Sequence, residues 1–366
     1  MDVGARRAYA SLAMKVFHCD HCGNLLFFEN VTCVRCGRAL AYLPWRADLV
    51  SLEPDPTPGS FRARTGDRVR LCSNYVTHQV CNWALPAEAS AELCAACELT
   101  RTIPDLSAPG NQRLWYELEV AKRRLLFTLM HLGLPVRSLR EDPERGLAFD
   151  FVAGGSTGHA DGVITVALEE ADDATRVKRR LELGEPTRTL LGHLRHESGH
   201  YYWTRLVEEG GPLEAFREAF GDERADYAEA KRRHYAEGAP AGWQDRFVSA
   251  YATMHPWEDW AESWAHYLHM VDTLETGAAV GISVRPRRSD EPAVVNVPDP
   301  TRAGATFEWM MESWRTLTYV LDSLNRGLGN DDAYPFVLSP PAVAKLRFVH
   351  DLVGRDAQPW TKMPER

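Results

Sequence analysis

The run Thr189-Leu-Leu-Gly-His-Leu-Arg-His-Glu-Ser-Gly-His-Tyr-Tyr-Trp203 contains His196-Glu197-Ser198-Gly199-His200, and the reading of these five residues decides the fold. On a helix, residues four apart stand on one face, one turn from each other. His196 and His200 can therefore each aim a ring nitrogen at the same metal ion. Glu197 projects beside them, placed to take a proton from an attacking water, which is the logic of the H-E-x-x-H pattern. Two unrelated histidines on a surface helix would give the same letters. Against that stand the apolar and aromatic flanks, which make this a buried helix, and a candidate third ligand downstream.

That candidate lies in Tyr251-Ala-Thr-Met-His-Pro-Trp-Glu-Asp-Trp-Ala-Glu-Ser-Trp-Ala-His-Tyr-Leu-His269. Pro256 suits the first position of a helix. Glu258, Glu262, His266 and His269 then fall on one face, while Trp257, Trp260, Ala261, Trp264, Ala265 and Leu268 pack the rest. Acids and imidazoles on an otherwise apolar helix are costly to bury unless something neutralises them. A divalent cation does so directly; an internal Glu/His hydrogen-bond network is the alternative. A hydrolytic zinc site needs three protein ligands and one open position. His196 and His200 supply two, and Glu258 is the choice for the third. Glu262, one turn on, would orient a ligating histidine, with His266 also behind the ligands. The reverse assignment of Glu258 and Glu262 stays open. Glu197 is the general base. For the donor to the oxyanion, the candidates are Tyr251, His255, His234 and His266.

All eight cysteines precede residue 100, in two groups of four. Cys19-Asp-His-Cys22 and Cys33-Val-Arg-Cys36 are each followed by glycine, and two such knuckles about one hairpin apart complete a four-cysteine zinc site. Leu25-Leu-Phe-Phe28 reads as a strand of this ribbon, and His18 and His21 as bystanders. Cys72, Cys81, Cys94 and Cys97 form the second set, weaker in spacing, with His78 as a substitute ligand. Between the sets, 51–66 is rich in Pro, Gly and Asp and reads as loop.

A chain of 366 residues, 45% hydrophobic and 25% charged, has room for two or three domains. Its longest apolar run, Leu125 to Leu134, is too short and mixed to span a bilayer. No secretory signal is read at the N-terminus, and paired knuckles without one are metal sites of a reducing cytoplasm. The net charge of −9 speaks against a polyanionic partner. From Lys15 to Thr100 eight Lys/Arg stand against nine Asp/Glu, with no basic stripe, so nucleic acid is not the expected partner. A metal-stapled scaffold or a module docking a protein partner is.

Pro104 to Gly110 is a linker, with Asn111 as cap of a helix that Gly133 and Pro135 stop. Leu147-Ala-Phe-Asp-Phe151 and Val163-Ile-Thr-Val-Ala-Leu168 read as strands; fold analogy alone makes the latter a sheet edge along which an extended peptide could pair. Asp172 to Glu182 is helical; Gly184-Glu-Pro186 breaks it and opens the metal-binding helix. From Gly211 to Gly242 the sequence is helical and charged, with Phe216, Phe220, Tyr227 and Tyr235 as its apolar face. Thr306 to Leu324 and Ala342 to Val353 are the last helices.

His196-Glu-Ser-Gly-His200 with Glu258-Asp-Trp-Ala-Glu262 resembles the gluzincin metallopeptidases, the thermolysin-type His-His-Glu zinc enzymes. The arrangement Tyr251, six residues, Glu258, three residues, Glu262 is similar to the site of the anthrax lethal factor protease domain. That resemblance implies that Tyr251 stabilises the oxyanion and that Glu258 binds zinc. From Met14 nearly the whole chain resembles the bacterial zinc-binding metallopeptidases that carry an N-terminal zinc ribbon. The motifs carrying this are Cys19-x-x-Cys22-Gly23, Ala121-Lys-Arg-Arg-Leu125, Leu132-Gly-Leu-Pro135, Gly158-His-Ala-Asp-Gly162, Arg195-His-Glu-x-Gly-His-Tyr-Tyr-Trp203, His255-Pro-Trp-Glu-Asp-Trp-Ala-Glu262, Ala265-His-Tyr-Leu-His269 and Tyr334-Pro-Phe-Val-Leu338. Ser198 stands where relatives usually have a larger aliphatic residue. The expected fold is α+β: a β-rich zinc-ribbon module over 14–103, then a mainly helical, zincin-like domain with a small β-sheet over 111–353. The expected activity is zinc-dependent cleavage of peptide or protein substrates, with one catalytic and two structural zinc ions.

Overall fold

A computed structural model of the chain describes residues 16–183, 185, 188–297, 299–301 and 305–356. The start expected at Met14 and the helix-opening role of Pro186 lie outside the described residues.

The N-terminal part is β-rich. Strands β1 (Phe17–His18) and β2 (Leu25–Leu26) pair across the first knuckle. Strands β3 (Ala39–Leu43), β4 (Asp48–Pro54), β5 (Ser60–Ala63), β6 (Arg68–Leu71) and β7 (Ala84–Pro86) then form an antiparallel meander in chain order. The expectation of loop over 51–66 is corrected here. Pro54-Asp-Pro-Thr-Pro-Gly59 makes only the tip of a hairpin, because Pro lacks the ladder N–H and Gly59 takes a positive φ of 77°. On either side Leu49, Val50, Leu52 and Ala63 are buried. A short helix α1 (Ser73–Val76) links β6 to β7.

Strand β8 (Thr100–Thr102) leads into α2 (Asn111–His131), whose N-cap is Gly110, not the Asn111 expected. Strands β9 (Ala148–Val152), β10 (Gly158–Ala160) and β11 (Val163–Ala167) follow. These four build a second sheet in the order β10-β11-β9-β8, with β10 antiparallel to β11 and the other pairs parallel. The strand expected as a sheet edge, Val163–Ala167, is therefore interior; the edges are β10 and β8. Asp161 and Gly162, with φ of 49° and 78°, make the tight turn between them. Only glycine fits the second position: a Cβ there would stand 2.3 Å from the Gly146 carbonyl oxygen.

The remainder is helical: α3 (Asp173–Leu183), α4 (Leu190–Trp203), α5 (Leu213–Phe220), α6 (Tyr227–Glu237), α7 (Pro256–Ala279), α8 (Phe307–Gly327) and α9 (Pro340–Asp356). Thr189 caps α4, its hydroxyl accepting from Gly192 N at 2.9 Å. In the charged stretch 211–242 only Phe216 and Phe220 are buried as expected; Tyr235 is 59% exposed, and Leu324 on α8 is 61% exposed.

The two parts share one core. Strand β8 pairs with β9, and Phe127 of α2 packs on Phe28 and Tyr42 at ring distances of 5.3 and 5.8 Å. Arg124 pairs with Glu29 at 2.6 Å, and Arg101 with Asp150. No helix among the described residues is long and apolar enough to cross a membrane.

Candidate metal centre

Helices α4 and α7 cross at Gly199. A Cβ there would lie 2.9 Å from Ala261 Cα and 3.2 Å from Trp264 Cδ1, so a glycine is needed for the approach. Two tryptophans of α7 seal the crossing: Trp260 Nε1 donates to the Gly199 carbonyl at 2.8 Å, and Trp264 Nε1 to Ser198 Oγ at 3.1 Å. The hydroxyl of Ser198 thus meets an indole N–H. Pro256 opens α7, and His255 caps it, its Nδ1 accepting from Trp257 N at 3.1 Å.

This crossing brings His196, His200 and Glu258 together, with ligand atoms within 4.8 Å of one another. His196 Nε2 is 2.9 Å from Glu258 Oε2, and His200 Nε2 is 3.5 Å from Glu258 Oε1. The far nitrogen of His196, Nδ1, donates to Glu262 Oε1 at 2.7 Å, and Ser249 Oγ donates to Glu262 Oε2 at 2.6 Å. Burial opposes a charge on His196, yet the Glu258 and Glu262 carboxylates outweigh it and push its pKa well above the ordinary value. Burial likewise opposes the charge of Glu262, but His196 holds its pKa down at about 2. The two carboxylates thus set a negative potential at the His196 ring. Two imidazoles and a carboxylate on one point, with a carboxylate fixing one ring from behind, are a donor set that fits zinc.

Other expected residues take varied places. Tyr251, in a turn Tyr251–Thr253 ahead of α7, has its ring 5.9 Å from that of His196. His255 has both nitrogens engaged with backbone, Nε2 donating to the Ala225 carbonyl at 3.0 Å, so it has no hydrogen to offer a substrate. His266 is turned to the Tyr334 hydroxyl at 2.7 Å, and His234 packs on Tyr251 at 5.7 Å. Glu197 follows His196 on α4 and is half-buried.

Three residues at the site were not singled out from the sequence. Tyr227, read there as part of an apolar face, donates from its hydroxyl to Glu258 Oε1 at 2.7 Å. Ser249 supports Glu262. His159, on β10, has its ring 6.3 Å from that of His200, and both its nitrogens are buried without a hydrogen-bond partner. Burial, then His200, lowers its pKa to about 4, so the ring is neutral. The Asp-Gly pair after His159 was the available signal for that hairpin. Beside His200 lies a cavity of about 870 Å³, lined by His159, Asp161, Tyr201, Trp203, Trp257 and Glu223 among others.

The cysteines form two quartets, Cys19, Cys22, Cys33, Cys36 and Cys72, Cys81, Cys94, Cys97, each with its sulfurs within 4.8 Å of one another. Sulfur pairs at 3.6 to 3.8 Å are far too long for disulfides. They match the spacing of about 3.8 Å that four thiolates take around a tetrahedral zinc at about 2.3 Å. Gly23 and Gly37, at φ of 72° and 71°, close the two knuckles of the first quartet. His78 is not a ligand: its ring lies on Trp115 at 5.4 Å and all four thiols of the second quartet converge without it. Arg123 of α2 is buried beside that quartet, donating to the Val80 carbonyl at 2.5 Å. Burial opposes its charge, but Cys81, Glu119, Cys97 and Cys94 more than offset this and raise its pKa.

Comparison with known proteins agrees with this layout. Residues 111–352 match a family described as "Putative zinc-binding metallo-peptidase", and residues 16–108 match a zinc-ribbon domain. Uncharacterized proteins of Mycobacterium tuberculosis and Mycobacterium bovis are 42% identical over 349 residues, covering 94% of this chain and 96% of theirs. No solved structure matches the chain. With two cysteine quartets ahead of a helical domain whose crossing helices bring His196, His200 and Glu258 together, the chain belongs to this family of zinc-binding metallopeptidases with an N-terminal zinc ribbon.

Proposed function

We propose that the protein is a zinc-dependent hydrolase that cleaves peptide bonds in peptide or protein substrates, acting in the cytoplasm. The observation that carries the reading is the convergence of His196 and His200 from α4 with Glu258 from α7, while Glu262 fixes His196 from behind. These three residues would hold the catalytic zinc, and the cysteine quartets the two structural ions. When bound, zinc supplies a Lewis acid and lowers the pKa of water towards neutrality. Glu197 follows His196 on the same helix and takes no part in ligation. It is the general base, accepting a proton from the attacking water and passing it to the leaving nitrogen. Tyr251 donates to the oxygen that gains charge. Burial, then Glu258 and Tyr227, pushes its hydroxyl pKa far above the ordinary value, so it keeps its proton throughout. The cavity beside His200 gives a substrate side chain room. Two thiol quartets in place of disulfides suit a reducing compartment.

The experiment is cleavage of a denatured-protein library by the zinc-loaded protein, by the chelator-treated protein and by Glu197→Gln. Glu197→Gln is expected to keep three zinc ions and to lose about 10²–10⁴-fold in rate. Equal cleavage by wild type and Glu197→Gln, or none by the loaded wild type, would refute the hydrolase reading.

A further inference from the structure

Tyr227 begins α6, a helix in which Ala230 alone is buried. Two constraints place that first residue. Asp226 caps the helix, its carboxylate accepting from Glu229 N at 3.0 Å, and His255 Nε2 ties the Ala225 carbonyl to the start of α7 at 3.0 Å. The ring of Tyr227 is thereby wedged against His255 and Trp257, at centroid distances of 5.2 and 6.3 Å. Its hydroxyl then reaches Glu258 Oε1 at 2.7 Å. The two oxygens of Glu258 are not equivalent. Oε1 accepts from Tyr227 and stands 3.5 Å from His200 Nε2, whereas Oε2 lies closer to the imidazoles, 2.9 Å from His196 Nε2, and has no hydroxyl or amide donor. A carboxylate can hold a cation through one oxygen or through both. A hydrolytic site with three protein ligands needs its fourth position open.

We propose that Tyr227 is a positioning residue: its hydroxyl holds Glu258 Oε1 away from the ion, so that the carboxylate ligates through Oε2 alone and one position stays open for water. The inference rests on the reading of His196, His200 and Glu258 as the third metal site. Neither Tyr251 nor Glu262 does this work: the hydroxyl that Glu258 Oε1 accepts from is that of Tyr227, and Glu262 is engaged with His196 and Ser249.

The test compares full-length wild type, Tyr227→Phe and Tyr251→Phe, the first substitution keeping the ring that packs on His255 and Trp257. Three quantities are read: zinc content and affinity at the third site, the visible spectrum after cobalt(II) replaces zinc there, and kcat and KM separately. Tyr227→Phe is expected to weaken third-site affinity about 10–100-fold. Its cobalt absorption should lose intensity as the ion passes from four to five ligands, and kcat should fall with KM unchanged. Tyr251→Phe should lower kcat and leave affinity and spectrum as in wild type. Three ions per chain with unaltered affinity and spectrum in Tyr227→Phe would overturn this inference alone. A loss of kcat in that variant without a change of spectrum would also overturn it, assigning the hydroxyl to the substrate. A wild type that binds only two ions would remove the third site itself, and the inference with it.

Discussion

Gly199→Ala is the sharpest perturbation of the helix crossing. The added Cβ would meet Ala261 Cα at 2.9 Å, with Trp264 Cδ1 at 3.2 Å and Trp264 Cβ at 3.3 Å. Ordinary carbon–carbon contact is about 3.5–4.0 Å, so α4 and α7 must part by roughly 0.5–1 Å. Overpacking of this kind costs about 1–3 kcal/mol, while replacing a helical glycine returns about 1 kcal/mol of propensity. The net loss of about 0–2 kcal/mol corresponds to a Tm fall of up to roughly 8 °C for a domain of this size. Metal binding should suffer more than folding. Ligand distances must hold within about 0.2 Å, and the two helices that separate carry His196 and His200 on one side and Glu258 on the other. Calorimetry with and without added zinc, together with zinc titration of the third site, measures both effects. A variant with unchanged or raised Tm and full third-site affinity would refute the reasoning, because it would mean that the helices do not cross at this glycine.

Glu262→Ala removes the acceptor of His196 Nδ1 and is expected to weaken third-site zinc affinity about 10–100-fold with little change in the cysteine sites, measured by competitive chelator titration. Cys94→Ser should destabilise the whole chain, since the second quartet is buried in the core that both parts share; circular dichroism melting should show one lowered transition covering both parts. Asp48→Asn tests a pH effect. Burial raises the Asp48 carboxyl to about 6, above its unfolded value of about 3.9. Its neutral form therefore favours the fold: that stability is complete below about pH 4 and is lost as pH rises to about 6, then stays lost. The variant should gain about 1–2 kcal/mol over wild type at pH 7 and nothing at pH 3.5, by urea unfolding at both values.

What local spacing can reveal, it revealed. Four-residue steps put His196 with His200 and Glu258 with Glu262 on single helix faces, and the first cysteine quartet follows from two knuckles with closing glycines. The meeting of those faces depends on Gly199, whose role appears only once Ala261 and Trp264 are seen against it. Sheet order was less legible, because strand pairing is a long-range event. Fold analogy makes Val163–Ala167 an edge strand, and it becomes interior when Gly158–Ala160 folds back on it. The hairpin of β4 and β5 was hidden by the prolines of its tip, whose composition resembles loop. Tyr227 was invisible for a further reason: in a charged, amphipathic segment a tyrosine is counted with the apolar residues, and only its hydroxyl reaches Glu258.

The placement of β8 has a practical corollary for anyone who would trim the gene. A polypeptide cut to start at Asn111, where the metallopeptidase match begins, would lack the outermost ribbon of its own sheet, leaving the backbone of Ala148–Val152 open along one side. It would also bare Phe127 to solvent and strand Arg123 without the thiolates it faces. Such a fragment should emerge insoluble, and the helical half should be recovered only when the cysteine-rich half is synthesised ahead of it or supplied alongside.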